Sequence, residues 1–168
     1  LFFYVYATPE QVIGWIGVEN AYLLMGILGF LSGVMTFSGI PYHLILIALS
    51  TGGLNPVVLA CATTVGLALG DSISYFLGYQ STAIVPERFK SVLSRIRILG
   101  ERYPRVMPVI FFFYGACVPF SNDFIGITMG LARYSFWKVM LPLSLGTLIF
   151  NTGVAYFGIY AYDFVLGY

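Results

Sequence analysis

Three polar side chains stand together inside an otherwise apolar stretch, in Pro119-Phe120-Ser121-Asn122-Asp123. A carboxylate in such a run is expensive, at roughly 2.5 to 3.5 kcal/mol on insertion scales, and is usually retained for function. Burial there disfavours the charged form, which makes Asp123 a candidate proton carrier. Pro119 precedes it closely. A proline inside a helix removes a hydrogen bond and frees backbone groups that nearby polar atoms can satisfy. The plainer reading is an N-cap, since Ser, Asn and Asp all favour that position. Ser or Asn would cap without the cost of a charge, so function is the favoured reading. His43, the single histidine, lies two residues after Pro41. Its side chain is the one with an ordinary pKa near neutrality. It reads equally as a neutral packed ring or as a proton-sensitive partner of Asp123. Asp71 closes the run Gly66-Leu67-Ala68-Leu69-Gly70-Asp71. It either faces a polar cavity or pairs with a basic residue near the end of its span.

Other chemistry finds no support. Cys61 and Cys117 both sit in apolar runs, with no spacing for a disulfide framework or a zinc site. One histidine cannot make a metal site, so neither metal nor cofactor is expected. There is no H-E-x-x-H and no serine with a base partner. Gly70-Asp71 and Tyr162-Asp163 are a poor match to intramembrane aspartyl proteases. Ala68 stands where that family needs glycine, and the two motifs occur in the opposite order. The chain reads as a non-enzyme.

The elements that position these residues must be built for lipid. Of the 168 residues 59% are hydrophobic and 9% are charged, against about 25% charged in soluble domains. Mean hydropathy is +0.89. These values exclude a soluble domain, a disordered chain and a nucleic-acid-binding tail. A small chain cannot hide so much apolar surface from water. Nineteen glycines and eight prolines punctuate the apolar runs, which points to broken or re-entrant helices.

The segment 9–20 is mildly amphipathic, with Trp15 as an interface anchor. From Ala21 to about Gly53 only His43 is ionisable. Asn55-Pro56 reads as a helix start, and Val57–Tyr79 is long enough to span. Pro86–Arg105 carries six basic residues against two acidic, with Phe89, Val92, Leu93, Ile96 and Leu99 at helical spacing. That predicts an amphipathic helix on the membrane surface, on the cytoplasmic side. Val106–Leu131 is apolar apart from Asn122 and Asp123 and breaks at Gly115 and Pro119. If it enters and returns, Arg133 and Lys138 share the cytoplasmic side with the basic helix. There they form a rim that could attract lipid phosphates. Ser135–Phe150 begins another span that continues toward Tyr160.

Pro41 and Pro119, and likewise Gly52 and Gly130, lie 78 positions apart. Each unit then reads as surface helix, re-entrant hairpin and one crossing, about 10–80 and 86–160, with Pro41, Gly52, Pro119 and Gly130 as the breaks. A unit with one crossing must invert when repeated, so the hairpins should enter from opposite faces. The predicted fold is a single all-α membrane domain over 1–168, an inverted repeat.

Gly39-Ile40-Pro41, Gly52-Gly53-Leu54-Asn55-Pro56, the run Gly66 to Asp71, and Tyr75-Phe76-Leu77-Gly78 resemble the first half of the DedA (VTT, SNARE-associated) membrane proteins. Val118-Pro119 through Asp123, Gly126-Ile127-Thr128-Met129-Gly130 and Phe136-Trp137 resemble the second half. The likeness covers about residues 39–150. It implies two facing re-entrant hairpins and a role in moving lipid across the bilayer, proton-dependent in bacterial members. Where those members carry Glu after the first hairpin's proline this chain has His43. Where they carry two arginines it has Ala116 and Asn122, so polyprenyl phosphate is less firmly implied as substrate.

The expected function is translocation of a phospholipid or polyprenyl phosphate, with Asp123, Asn122, Ser121, His43 and Asp71 along the path. The expected partners are membrane lipid and protons, without nucleic acid, in the plasma or inner membrane. The sequence leaves a homo-oligomer open. The rival readings are a proton-coupled transporter of a small solute and a non-transporting membrane scaffold.

Overall fold

The computed structural model describes residues 11, 14, 17–34, 42–118 and 122–166. Among the described residues every regular element is helical: α1 (Val18–Val34), α2 (Tyr42–Thr51), α3 (Pro56–Gln80), a 3-10 turn (Ser81–Ile84), α4 (Glu87–Arg102), α5 (Val106–Cys117), α6 (Asp123–Leu131) and α7 (Phe136–Leu166). Two stretches, Pro56–Gln80 and Phe136–Tyr162, are long and apolar enough to cross a membrane. At 1.5 Å per residue α3 runs for about 38 Å, more than a hydrocarbon core of about 30 Å.

Local chemistry sets the ends. The Asn55 side-chain oxygen accepts from Val57 N at 3.0 Å and Val58 N at 3.3 Å, with Pro56 at the first helical position. Donors that a new helix leaves unpaired are thus satisfied. After α2 the chain turns through Gly53, whose φ of +92° suits glycine. The Asn55 backbone N–H donates to the Tyr22 hydroxyl at 3.1 Å, which ties this turn to the start of α1.

Close approach of small residues holds the helices together. A Cβ at Gly29 would meet the Thr63 carbonyl and Leu67 N, and one at Gly33 would meet the Leu67 carbonyl and Asp71 N. From the other side, Gly66 abuts the Gly26 carbonyl and Gly70 abuts Gly33. The glycines of Gly29-x-x-x-Gly33 and Gly66-x-x-x-Gly70 therefore pack on the facing helix, and α1 runs parallel to α3. In the second half Gly115 abuts the Leu143 carbonyl and Thr147 N, and Gly146 abuts the Phe112 carbonyl and Ala116 N, so α5 runs parallel to α7. The return legs cross over. The main partner of α6 is α3, with Gly126 beside Asp71 and Gly130 against Tyr75 and Tyr79. The main partner of α2 is α7, where Gly158 abuts Ile47.

The chain reverses between α5 and α6. Gly115 and Asn122 both reach Thr147 at one end, and the Phe111 and Tyr134 rings meet at 6.2 Å at the other. The expected hairpin over 106–131 is thus two antiparallel legs. With α6 parallel to α3 and α5 parallel to α7, the long helices α3 and α7 run in opposite directions.

Some expectations differ from the structure or lie outside the described residues. Pro41, Pro119 and Ser121 lie outside them, as does half of the surface helix expected over 9–20, Trp15 included. Gly52 follows α2 as expected, but Gly130 lies inside α6, against the Tyr75 carbonyl. The break after α6 comes at Arg133, whose φ of 54° turns the chain into α7. The expected amphipathic helix forms as α4. Its Ile96 packs on a core that includes Phe111, Tyr134 and Leu143, while Phe89 and Val92 are half-exposed.

Candidate functional site

Large aromatic side chains face outward while a few polar ones lie inside. Trp137, Phe157, Tyr160 and Phe164 are each at least 70% exposed, whereas Asp123, Asn151 and Thr63 are fully buried. Burying polar groups is costly unless they are hydrogen-bonded, and each of these three has a partner within the molecule.

Asp123 opens α6 just after the reversal, and α6 lies along α3. Its carboxylate meets α3 two-thirds of the way along. There the Ser74 hydroxyl donates to Asp123 Oδ1 at 3.0 Å and reaches the Gly33 carbonyl at 3.4 Å. One turn back, the buried Asp71 carboxyl lies within electrostatic reach of Asp123 and the Asn122 side chain. Asn122 Nδ2 also donates to Thr147 Oγ1 on α7 at 2.9 Å. The site therefore draws on the end of α1, the middle of α3, the start of α6 and the middle of α7. Gly33 is near the end of α1 and Asp123 opens α6, so Ser74 links the end of α1 to the start of α6.

A second chain of polar contacts lies alongside. The Tyr42 hydroxyl donates to Asn151 Oδ1 at 3.4 Å, and Asn151 Nδ2 donates to Thr64 Oγ1 at 3.1 Å. Tyr42 is near enough to Asp71 to feel its charge, so the two groups form one buried polar region.

The structure thus brings together Asp71, Asn122 and Asp123. The contacts recorded at His43 are the Tyr42 ring at 3.8 Å and the Phe150 ring at 5.6 Å, and its Nε2 has no hydrogen-bond partner among the described residues. Asp71, not His43, is the titratable partner recorded at Asp123. Among the described residues no salt bridge to Lys or Arg forms at Asp71. Sequence reasoning missed Ser74, Thr147, Asn151, Thr64 and Tyr42. The available signal was spacing: Ser74 lies three residues after Asp71 and Asn151 four after Thr147, each pair on one helical face.

Chemically, two carboxyl groups in contact can hydrogen-bond only when one keeps its proton. Among the described residues no group of three or more His, Cys, Asp or Glu could hold a metal ion. Arg133, on the expected rim, is exposed over the Tyr79 ring at 5.0 Å, in one cleft with Lys90 and Arg97 of α4. Lys138 is exposed and does not line this cleft. No family model matches the chain, and no curated protein or solved structure is similar to it.

Proposed function

We propose that this chain is a multi-pass membrane protein that carries lipid headgroups across the bilayer. The path passes the Asp71–Asp123 pair, and proton uptake by the pair lowers the barrier to an anionic headgroup. The observation that carries this reading is the buried polar cluster itself. A carboxyl pair, an amide and two hydroxyls from α3, α6 and α7 meet at the ends of two hairpins, inside a shell that is apolar outward. An isolated charge in such a place is expensive. A pair that shares a proton is cheaper, and it changes charge on demand.

The inverted repeat belongs to the same proposal, and the backbone contacts support it. Gly66 and Gly146 lie 80 positions apart, as do Gly78 and Gly158, the pair Thr63 and Leu143 that face Gly29 and Gly115, and the pair Ile127 and Ile47 that face the later glycines. On the same register Asp71 matches Asn151, and Tyr42-His43 match Asn122-Asp123. The opposed directions of α3 and α7 fit inversion. The landmark prolines and glycines are 78 apart, so Gly52 and Gly130 are neighbours of equivalent positions and not equivalents. Folds built this way place their sites at the meeting of the repeats near the bilayer midplane. In the DedA-like reading of the sequence, His43 stands at the acid position of bacterial members, and Ala116 and Asn122 stand at their arginine positions.

The side of the membrane follows from charge. Lys90, Arg97 and Arg133 meet in one cleft, so the basic helix and the turn after α6 share a face. By the positive-inside bias that face is cytoplasmic. The test is reconstitution into vesicles carrying a labelled phospholipid in both leaflets. Loss of the inner-leaflet label to an outer-leaflet quencher supports lipid movement. An inner-leaflet signal as protected as in protein-free vesicles, together with solute-driven pH change, would instead support the solute transporter.

A further inference from the structure

We propose that the cleft between α4 and the α6–α7 turn is a binding seat for the phosphate headgroup of an anionic membrane lipid. The cleft has a volume of about 210 Å³. Lys90 and Arg97 line it from α4. They are seven residues apart, hence two turns along one face. Arg133 closes the opposite wall. No acidic side chain is in the lining.

Arg133 is the most informative of the three. Its φ of 54° is left-handed, a conformation that costs energy in any residue with a side chain. A glycine would make the same turn without strain, yet the position holds an arginine. Its guanidinium lies over the Tyr79 ring, 5.0 Å from the centroid, and has no carboxylate partner among the described residues. Backbone strain and ring contact together hold a cation at the mouth of the cleft. Lys90 and Arg97 do have carboxylates, Glu87 at 2.6 Å and Glu101 at 3.0 Å, on the same helix. Both pairs are exposed, and such pairs contribute little. A phosphate can therefore take over these cations, and guanidinium groups match its geometry with paired hydrogen bonds.

The rest of the lining says what the phosphate is attached to. The Thr82 and Ser94 hydroxyls are spent on the Tyr79 and Ser91 carbonyls, so the cations alone do the donating. Val85, Leu93 and Leu131 supply apolar walls. Cations over apolar walls, beside a helix whose Phe89 and Val92 stay half-exposed, suit an amphiphile at a membrane surface better than a soluble anion. The seat does not depend on translocation, because a lipid bound there could remain on one leaflet.

The test is equilibrium binding to the full chain in an uncharged detergent, read by native mass spectrometry. The probes are short-chain phosphatidic acid, short-chain phosphatidylcholine and inorganic phosphate. Phosphatidic acid should bind at least about tenfold more tightly than either other probe, and Arg133→Gln or Arg97→Gln should weaken it about tenfold. Arg95→Gln, with the same loss of charge on α4 outside the cleft, should leave it unchanged. Equal weakening in Arg95→Gln would reduce the effect to general charge and overturn the seat. Equally tight inorganic phosphate would overturn the lipid assignment. The melting temperature of each variant without lipid separates loss of binding from loss of fold.

Discussion

Asp123→Asn keeps the shape of the carboxyl pair while taking away its exchangeable proton. Its side-chain carbonyl can still accept from Ser74, and its amide can donate to Asp71. Asp123→Ala removes both contacts, at roughly 0.5 to 1.5 kcal/mol each, and leaves Ser74 with its long contact to the Gly33 carbonyl. The expected outcome is an Asn variant that melts close to the parent in detergent and an Ala variant that melts well below it. Equal melting of the two would mean that the Ser74 and Asp71 contacts do not hold the site. Asp71 and Asp123 were legible in the sequence because a charge stands out in an apolar run. Ser74, Thr147 and Asn151 were not. Hydroxyls are inexpensive in a helix, where they bond the preceding turn, as Thr147 does with the Leu143 carbonyl at 3.0 Å. Their role appears only when another helix brings a carboxyl or an amide within reach. His43 shows the reverse: its residue type suggested a partner for Asp123, while its place on α2 sets it against Phe150 of α7.

At the scale of elements, paired glycines set how closely the helices approach. Gly66→Ala would drive a methyl into the Gly26 carbonyl, and Gly146→Ala would drive one into that of Phe112. Backbone atoms cannot turn aside, so each should destabilise by roughly 1 to 3 kcal/mol. At Gly153 an added methyl would meet nothing within 4 Å. Gly153→Ala should therefore be neutral or stabilise α7 by up to about 1 kcal/mol through helix propensity. Thermal unfolding of the three variants checks the contrast, and similar losses at Gly146 and Gly153 would contradict the close packing of α5 on α7. The helices themselves were readable: Asn55-Pro56 opens α3, and the basic amphipathic stretch forms α4. Which leg packs on which long helix was not, because small-residue motifs announce close contact without naming the partner. The crossed arrangement, α2 on α7 and α6 on α3, depends on contacts far apart in the chain.

For the whole molecule, the proposed topology, with one crossing by α3, puts the start of α1 and the α2–α3 turn on the face opposite to α4 and the α6–α7 turn. Cys61 and Cys117 are exposed, so labelling needs a Cys61→Ser, Cys117→Ser background. There, Glu101→Cys and Ser135→Cys should react with a membrane-impermeant maleimide from one side, and Glu19→Cys from the other. Reaction of Glu101→Cys and Ser135→Cys from opposite sides would break the hairpin reading. Apolar composition and its few polar exceptions were legible in the sequence. The closure of the site was not: Asp123 is 0% exposed, so on the proposed lipid path a headgroup reaches the pair only when the helices part. The most direct measurement is the leaflet-exchange rate of a labelled anionic phospholipid across pH, for the parent chain and Asp123→Asn. A proton-gated lipid path predicts that the parent rate rises as pH falls, since proton uptake removes negative charge from the path. It also predicts that Asp123→Asn, which removes that charge at every pH, exchanges lipid about tenfold faster than the parent at neutral pH, or ~1.4 kcal/mol in barrier, with a flat pH profile. A parent rate equal to that of protein-free vesicles, or a pH profile unchanged in Asp123→Asn, would contradict it.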